Sequence, residues 1–321
     1  MPSGFNRSLE HISKQAMQFQ QLNTPDLLEN MPLMTLLGMS SLVTSTLPCK
    51  NFTCAIINVK SGACTENCAF CAQSAHYTTN NLAYPFLQPQ QILAKVEAKL
   101  QQTQLDYLGL VSSGPALTDD DFNLLCQSAK LIHSRFRIQL CASVGFLTPQ
   151  RARALKQAGF ISYHHNLETA RSYFNKICTT HHYQQRVDTI KVAKAEGLRV
   201  CCGGLFGLGE SFKQRCELAA QVHELAVDSI PINFLIPIKG TPLENQKTIS
   251  PAEALRTIAM FRLFNPEKDV VICGGRLEAL KSLKNMVFSA GANGLMLGDY
   301  LTRKGGEICE DLWEMSMLEV I

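Results

Sequence analysis

Three cysteines, Cys64, Cys68 and Cys71, follow one another at spacings of x3 and x2. Thiolates so placed can fold around one compact centre, and as soft ligands they select zinc or iron–sulfur groups. A structural zinc site usually closes with four ligands, commonly in paired Cys-x2-Cys units. No fourth cysteine falls nearby at such a spacing. Three thiolates on a four-iron cluster would leave one iron open for a ligand brought by a substrate. Zinc, and cysteines that merely pack in a loop, are the alternatives.

The element that must carry these sulfurs is the apolar run 54–59, which ends just before them. It is the first of eight such runs, the others being 106–111, 137–143, 160–165, 199–205, 229–235, 269–274 and 294–298. Amphipathic stretches separate the runs, several with start and stop signals. Thr148 and Pro149 open one helix that Gly159 closes, Ser250 and Pro251 open another, and Gly197 ends the stretch from Tyr183. Strands alternating with helices imply parallel pairing with right-handed crossovers, and eight units can form a (β/α)8 TIM-type barrel, closed or partly open. Chemistry in such barrels sits at the C-terminal ends of the strands. Residues 1–48 read as an N-terminal helical extension of one or two surface helices, and 49–321 as the barrel domain.

The chain of 321 residues is 46% hydrophobic and 18% charged, enough for a large core. A net charge of +3 gives no reason to expect nucleic acid or a membrane surface. The N-terminal stretch lacks the apolar segment of a signal peptide, and the most apolar stretch, 229–238, is interrupted by Pro231 and Pro237. A cytoplasmic protein is expected. Thirteen cysteines, an odd number, argue against a disulfide framework and for a reducing compartment.

The first cluster, with Phe70 before its last cysteine, resembles the radical S-adenosylmethionine superfamily. Further stretches resemble the biotin synthases: Cys71-Ala-Gln-Ser74, Tyr163-His-His-Asn166-Leu-Glu168, Ile177-Cys-Thr-Thr180, Tyr183-Gln-Gln-Arg186, Val200 to Glu210, Pro231-Ile-Asn233, Lys239-Gly-Thr-Pro-Leu243 and Ala290-Gly-Ala-Asn293. They run in order over most of the chain. The resemblance implies a 4Fe–4S cluster on Cys64, Cys68 and Cys71 whose open iron chelates S-adenosylmethionine. It places Phe70, Asn166, Glu168 and Arg186 at that cofactor, with Glu168 on the ribose hydroxyls and Arg186 on the methionine carboxylate. It places Asn166, Asn233, Thr302 and Arg303 at the substrate, dethiobiotin. For Gly203-Gly204 and Gly207-x-Gly209 it implies close approach to the adenine; a tight turn is the other reading.

The family carries a second cluster that donates sulfur, best known as 2Fe–2S on three cysteines and an arginine. By resemblance two of those cysteines fall on Cys141 and Cys201, but the third falls on Gly109 and the arginine on Val271. Strand side chains alternate, so if Val271 faces the interior, Cys273 does too. Cys54 aligns with an interior position of the family. Cys54, Cys141, Cys201 and Cys273 lie on alternate strands, and four converging thiolates suit a 4Fe-type auxiliary cluster better than 2Fe–2S. Small buried hydrophobes are the alternative. Cys202 should face away from Cys201. Cys49, Cys126, Cys178, Cys216 and Cys309 have no usable partner spacing. His164 is a candidate for the pocket lining; His165, His181 and His182 are assigned no role, since neighbouring histidines on a strand diverge.

The expected function is that of a radical sulfurtransferase in biotin biosynthesis, with flavodoxin or ferredoxin as electron donor and a homodimer left open as the assembly. A sister radical enzyme, a maturase or mutase acting on another small molecule, shares Cys64–Cys71 but needs no interior cysteines. A non-catalytic zinc or iron–sulfur module would not cleave S-adenosylmethionine.

Overall fold

Helices between successive strands, β5 and β6 excepted, return the chain to the same edge, so the strands pair in parallel. The computed structural model describes residues 24–46, 50–301 and 305–316. Its strands are β1 (Phe52–Lys60), β2 (Tyr107–Ser112), β3 (Gln139–Ser143), β4 (Phe160–His164), β5 (Arg199–Cys201), β6 (Gly204–Phe206), β7 (Ser229–Phe234), β8 (Asp269–Ile272) and β9 (Gly294–Met296). They run β5-β4-β3-β2-β1-β9-β8-β7-β6, and a β5–β7 pairing closes the ring. The result is a closed (β/α)8 barrel.

The expected single strand 199–205 is two segments, β5 and β6. Both keep one register against β7, with Cys201 opposite Ser229 and Gly204 opposite Ile232. The interruption lies against Pro231, which has no N–H to give the ladder. A Cβ at Gly203 would stand 2.1 Å from the Pro231 carbonyl oxygen, so only glycine allows the strands to approach this closely.

The cap signals hold. Thr148 accepts from the Arg151 N–H ahead of helix Pro149–Gln157, and Ser250 forms a capping box with Glu253 ahead of Pro251–Phe264. Gly159 and Gly197 have φ of 102° and 74° where their helices end. In the N-terminal extension, helices Thr24–Asn30 and Leu33–Thr46 do not simply ride on the surface. Leu36, Leu37 and Val43 are buried, and the Ser40 hydroxyl donates to the Ala290 carbonyl at 2.7 Å. Among the described residues no helix is long and apolar enough to cross a membrane.

In β1, Ala55, Ile57 and Val59 are buried while Cys54 and Ile56 border the barrel cavity. This two-residue alternation aims the chemistry inward. Asn293, fully buried, stitches the seam between β1, β8 and β9. Its Oδ1 accepts from the Val270 N–H and from Arg262, both at 2.8 Å, and its Nδ2 donates to Asp269 and to the Lys50 carbonyl. Replacing Asn293 with Ala strands buried donors, and should lower stability by about 2–4 kcal/mol. Urea denaturation of the mutant checks this; an unchanged midpoint would contradict the role.

Candidate metal centre and active site

β1 delivers the three cysteines to the C-terminal mouth of the barrel on a loop held from both sides. Gly62 and Ala63 turn the chain with φ of 75° and 51°. The buried Gln73 amide accepts from the Gly62 N–H and the Ser61 hydroxyl, each at 3.2 Å, while the Cys64 N–H donates to the Gln73 carbonyl at 3.0 Å. The Cys71 N–H donates to the Cys68 carbonyl at 2.9 Å, winding the x2 spacing into a tight turn. The Ala69 N–H donates to the Ile177 carbonyl at 2.8 Å, and the Asn67 side chain joins Thr179 and Thr180. Cys64, Cys68, Phe70 and Cys71 all border the same cavity. Burial pushes the Cys71 thiol up to about 11, and Cys68 is pushed up first by its hydrogen bond to Cys178 and then by burial. Sulfurs so placed favour their protons until a cation claims them, which is the behaviour of a buried metal site.

Asn166, Glu168 and Arg186 meet beside these sulfurs and line the cavity. Glu168 holds φ of 69°, a left-handed backbone that aims its carboxylate away from the strand direction. Arg186 donates through Nη1 to Glu168 at 3.3 Å and to the Asn166 carbonyl at 2.8 Å, and through Nε to His181 Nε2 at 2.9 Å. Gly204 allows the Glu168 carbonyl to reach the Leu205 N–H at 2.7 Å; a Cβ there would stand 2.7 Å from that oxygen. Gly203 and Gly204 therefore serve approach of backbone to backbone. Gly207 and Gly209, with φ of 93° and 102°, form a turn whose N–H groups at Gly207 and Leu208 bind Glu210. Asn233 also lines the cavity, but both ends of its amide are engaged, by the Gly274 N–H at 3.1 Å and the Gly204 carbonyl at 3.2 Å. Thr302, Arg303 and Cys49 lie outside the described residues.

A cavity of about 480 Å³ runs from this mouth into the barrel, and Cys54, Cys141, Cys201 and Cys273 all border it. Val271 and Cys273 pack together on the interior side with Cys54 and Ile56. Burial is the largest cause that raises all four thiols, Cys141 to about 11 and Cys273 to about 12. The neighbouring sulfurs raise two of them further: Cys273 and Cys141 act on Cys54, and Cys141, Cys273 and Cys54 on Cys201. Cys202 is fully buried and absent from the cavity wall, facing away as alternation requires. At Gly109 a Cβ would meet Ile56 Cγ2 at 3.1 Å, so Ile56 occupies the space a side chain there would need.

Three readings of single residues change. His165 lies past the end of β4 at His164, so strand alternation no longer separates the two, and both border the cavity. The His165 Nε2 is buried with no hydrogen-bond partner among the described residues. His181, given no role from sequence, is buried against Phe146 and Phe174 and bonds Glu66 and Arg186. Cys178, without a usable spacing, places its Sγ 3.7 Å from that of Cys68. Residues 110 apart in the chain meet here, and no local spacing reveals that.

Among the described residues, only Glu66, Cys178 and His181 bring three ligand atoms within 4.8 Å of one another. Neither cysteine set is drawn so tightly, as a single zinc with bonds of about 2.3 Å would require. Buried thiols set more widely around a cavity fit iron–sulfur clusters instead.

A closed parallel barrel with this mouth is the architecture of a radical S-adenosylmethionine enzyme, and the Radical SAM superfamily profile matches residues 58–222. Solved structures agree on the fold alone: methylornithine synthase has a TM-score of 0.81 at 18% identity over 96% of each chain. The hydrogenase maturase of Carboxydothermus hydrogenoformans has 0.78 at 15%, over 97% of this chain and 79% of its own. The Biotin and Thiamin Synthesis associated domain profile matches residues 231–320. Biotin synthase of Nitratidesulfovibrio vulgaris (strain Miyazaki F) is 47% identical, over 84% of this chain and 76% of its own. That of Trichlorobacter lovleyi is 48% identical over 81% and 78%. The chain belongs to the biotin synthase family.

Burial holds His164 down to about 4 and His165 well below its usual value. Both are therefore neutral in the folded protein and gain protons more readily when it unfolds. Stability should be full above pH 6.5 and fall as pH is lowered from 6.5 toward 4. Denaturant midpoints at a series of pH values check this, and His164→Asn should flatten part of the slope. An identical slope in the mutant would contradict the assignment.

Proposed function

We propose that the chain converts dethiobiotin to biotin, with Cys64, Cys68 and Cys71 holding the 4Fe–4S cluster that binds S-adenosylmethionine. Cys54, Cys141, Cys201 and Cys273 would hold a 4Fe-type auxiliary cluster as sulfur source. The carrying observation is that both cysteine sets border one cavity of about 480 Å³. When bound, the first cluster supplies the electron that cleaves the sulfonium and yields the 5′-deoxyadenosyl radical; the protein binds, orients and shields.

Several residues suit that task. Arg186 presents a guanidinium to the methionine carboxylate, while the Glu168 carboxylate accepts from the ribose hydroxyls. Phe70 supplies an apolar wall beside Cys71. Asn166 and Asn233 stand between the two cysteine sets, and an asparagine whose oxygen already accepts from backbone can still receive a second donor on its free lone pair. The neutral His164 and His165 offer hydrogen bonds without charge, which suits a neutral ureido ring. Thr302 and Arg303 are assigned to the substrate carboxylate by resemblance alone. The wall around this space is largely apolar, excluding water and the side reactions a carbon radical would undergo. Flavodoxin or ferredoxin is the donor implied by the resemblance, and a reducing, cytoplasmic setting suits a chain that must keep its thiols free for iron.

Anaerobic reconstitution tests the reading. Wild-type protein should bind about eight irons per chain, and Cys141→Ala or Cys273→Ala about four, with S-adenosylmethionine still cleaved. Biotin and 5′-deoxyadenosine should form together from dethiobiotin in the wild type only. About four irons in wild-type protein would overturn the auxiliary cluster, and 5′-deoxyadenosine without biotin would assign a sister radical enzyme.

A further inference from the structure

Cys178 is 2% exposed and does not border the cavity, yet its Sγ lies 3.7 Å from that of Cys68. Resting on the reading that Cys68 is an iron ligand, we propose that Cys178 is a positioning residue: its thiol donates a hydrogen bond to the Cys68 sulfur and raises the reduction potential of the cluster that binds S-adenosylmethionine.

The neighbours of Cys178 leave it little else to do with its proton. Cys178 can donate to Asn67 Oδ1 at 3.5 Å, but that oxygen is a crowded neutral acceptor, already receiving the Thr179 N–H at 3.0 Å and, from Thr180, the N–H at 3.3 Å and the hydroxyl at 3.2 Å. His181 Nδ1 is 3.3 Å away. Arginine only donates, so its Nε, 2.9 Å from His181 Nε2, makes that nitrogen the acceptor. The ring proton then sits on Nδ1, where the Glu66 carboxylate receives it, and Nδ1 cannot accept from a thiol. Thr180 Oγ1, at 3.5 Å, is engaged with Glu66 and receives the Asn67 N–H at 3.1 Å. Cys68 is the acceptor that gains most. As an iron ligand it is a thiolate, and a charged acceptor draws a donor more strongly than a neutral one. As a free thiol Cys68 is the donor in this 3.7 Å contact; as an iron ligand it has no proton to give, and Cys178 is then the only one of the two sulfurs that can donate.

The sign follows from charge. Reduction places additional negative charge on the cluster and its sulfurs. A donor at a ligand sulfur stabilises the reduced form more than the oxidised one, so the potential rises. The same chain of contacts continues through His181 to Arg186, and from there to Glu168 and the Asn166 carbonyl. The group that tunes the cluster is thus fixed in place by the side chains that would grip its sulfonium ligand.

Cys178→Val and Cys178→Thr are close in size, and only threonine carries a donor. In the full chain, reconstituted anaerobically, the cluster is followed by the EPR signal that changes when S-adenosylmethionine is added. Its midpoint should move to a more negative potential in Cys178→Val and stay near wild type in Cys178→Thr. Equal midpoints in wild type and Cys178→Val, with iron content unchanged, would overturn the proposal. Absence of any responsive signal in wild type would remove the cluster assignment itself, a separate failure. Should Cys178→Val not retain the cluster, wild type and Cys178→Thr are compared by pulsed EPR after exchange into D2O. An exchangeable proton whose coupling differs between the two supports the bond, and identical spectra overturn it.

Discussion

The structure depends on a buried sulfur being tolerable only where a cation meets it. Burial alone drives Cys54, Cys141, Cys201 and Cys273 toward the protonated, neutral form, and it does the same to Cys71 at the barrel mouth. Iron reverses that preference, and a coordinated thiol gives up its proton outright. Five such sulfurs border one cavity, together with Cys64 and Cys68, and a cation bound among them would relieve the cost of their burial. Metal binding and the final form of the barrel interior are then coupled.

The geometry around the first three cysteines serves a second need, which is to leave one direction open. Gln73 holds the loop from within, and the segment at Ile177–Thr180 clasps it from outside. Neither side offers a fourth cysteine toward the cavity, because Cys178 stands behind Cys68 and off the cavity wall. Asn166, Glu168 and Arg186 border the same cavity as the three cysteines. Charge on the cavity wall comes from Glu66, Glu168, Arg186, Arg199, Asp228 and Asp269, while burial keeps His164 and His165 neutral.

Much of this was legible in sequence because it follows from periodicity and local spacing. Alternation on the strands set Cys273 with Val271 and turned Cys202 away from Cys201, and both hold. Thr148-Pro149 and Ser250-Pro251 marked helix starts by the same hydrogen bonds seen in the structure. The failures come where a long-range contact overrides the local pattern. The break between β5 and β6 is imposed by Pro231 on a neighbouring strand. His165 borders the cavity because β4 ends one residue earlier. Cys178 and His181 meet Cys68 and Glu66, which lie more than a hundred residues away, so no local spacing reveals either pairing. Asn233 was expected at the substrate, and its amide is held at both ends by backbone, the Gly204 carbonyl and the Gly274 N–H.

The central claim is that one iron of the mouth cluster is left unligated by protein and takes the methionine end of S-adenosylmethionine. The direct measurement is electron–nuclear double resonance on the reduced cluster, with S-adenosylmethionine isotopically labelled at its amino and carboxylate groups. Strong hyperfine coupling to both labels is the expected result, since both groups would bind the same iron. A fully loaded, reduced cluster showing no coupling to either label would contradict the account.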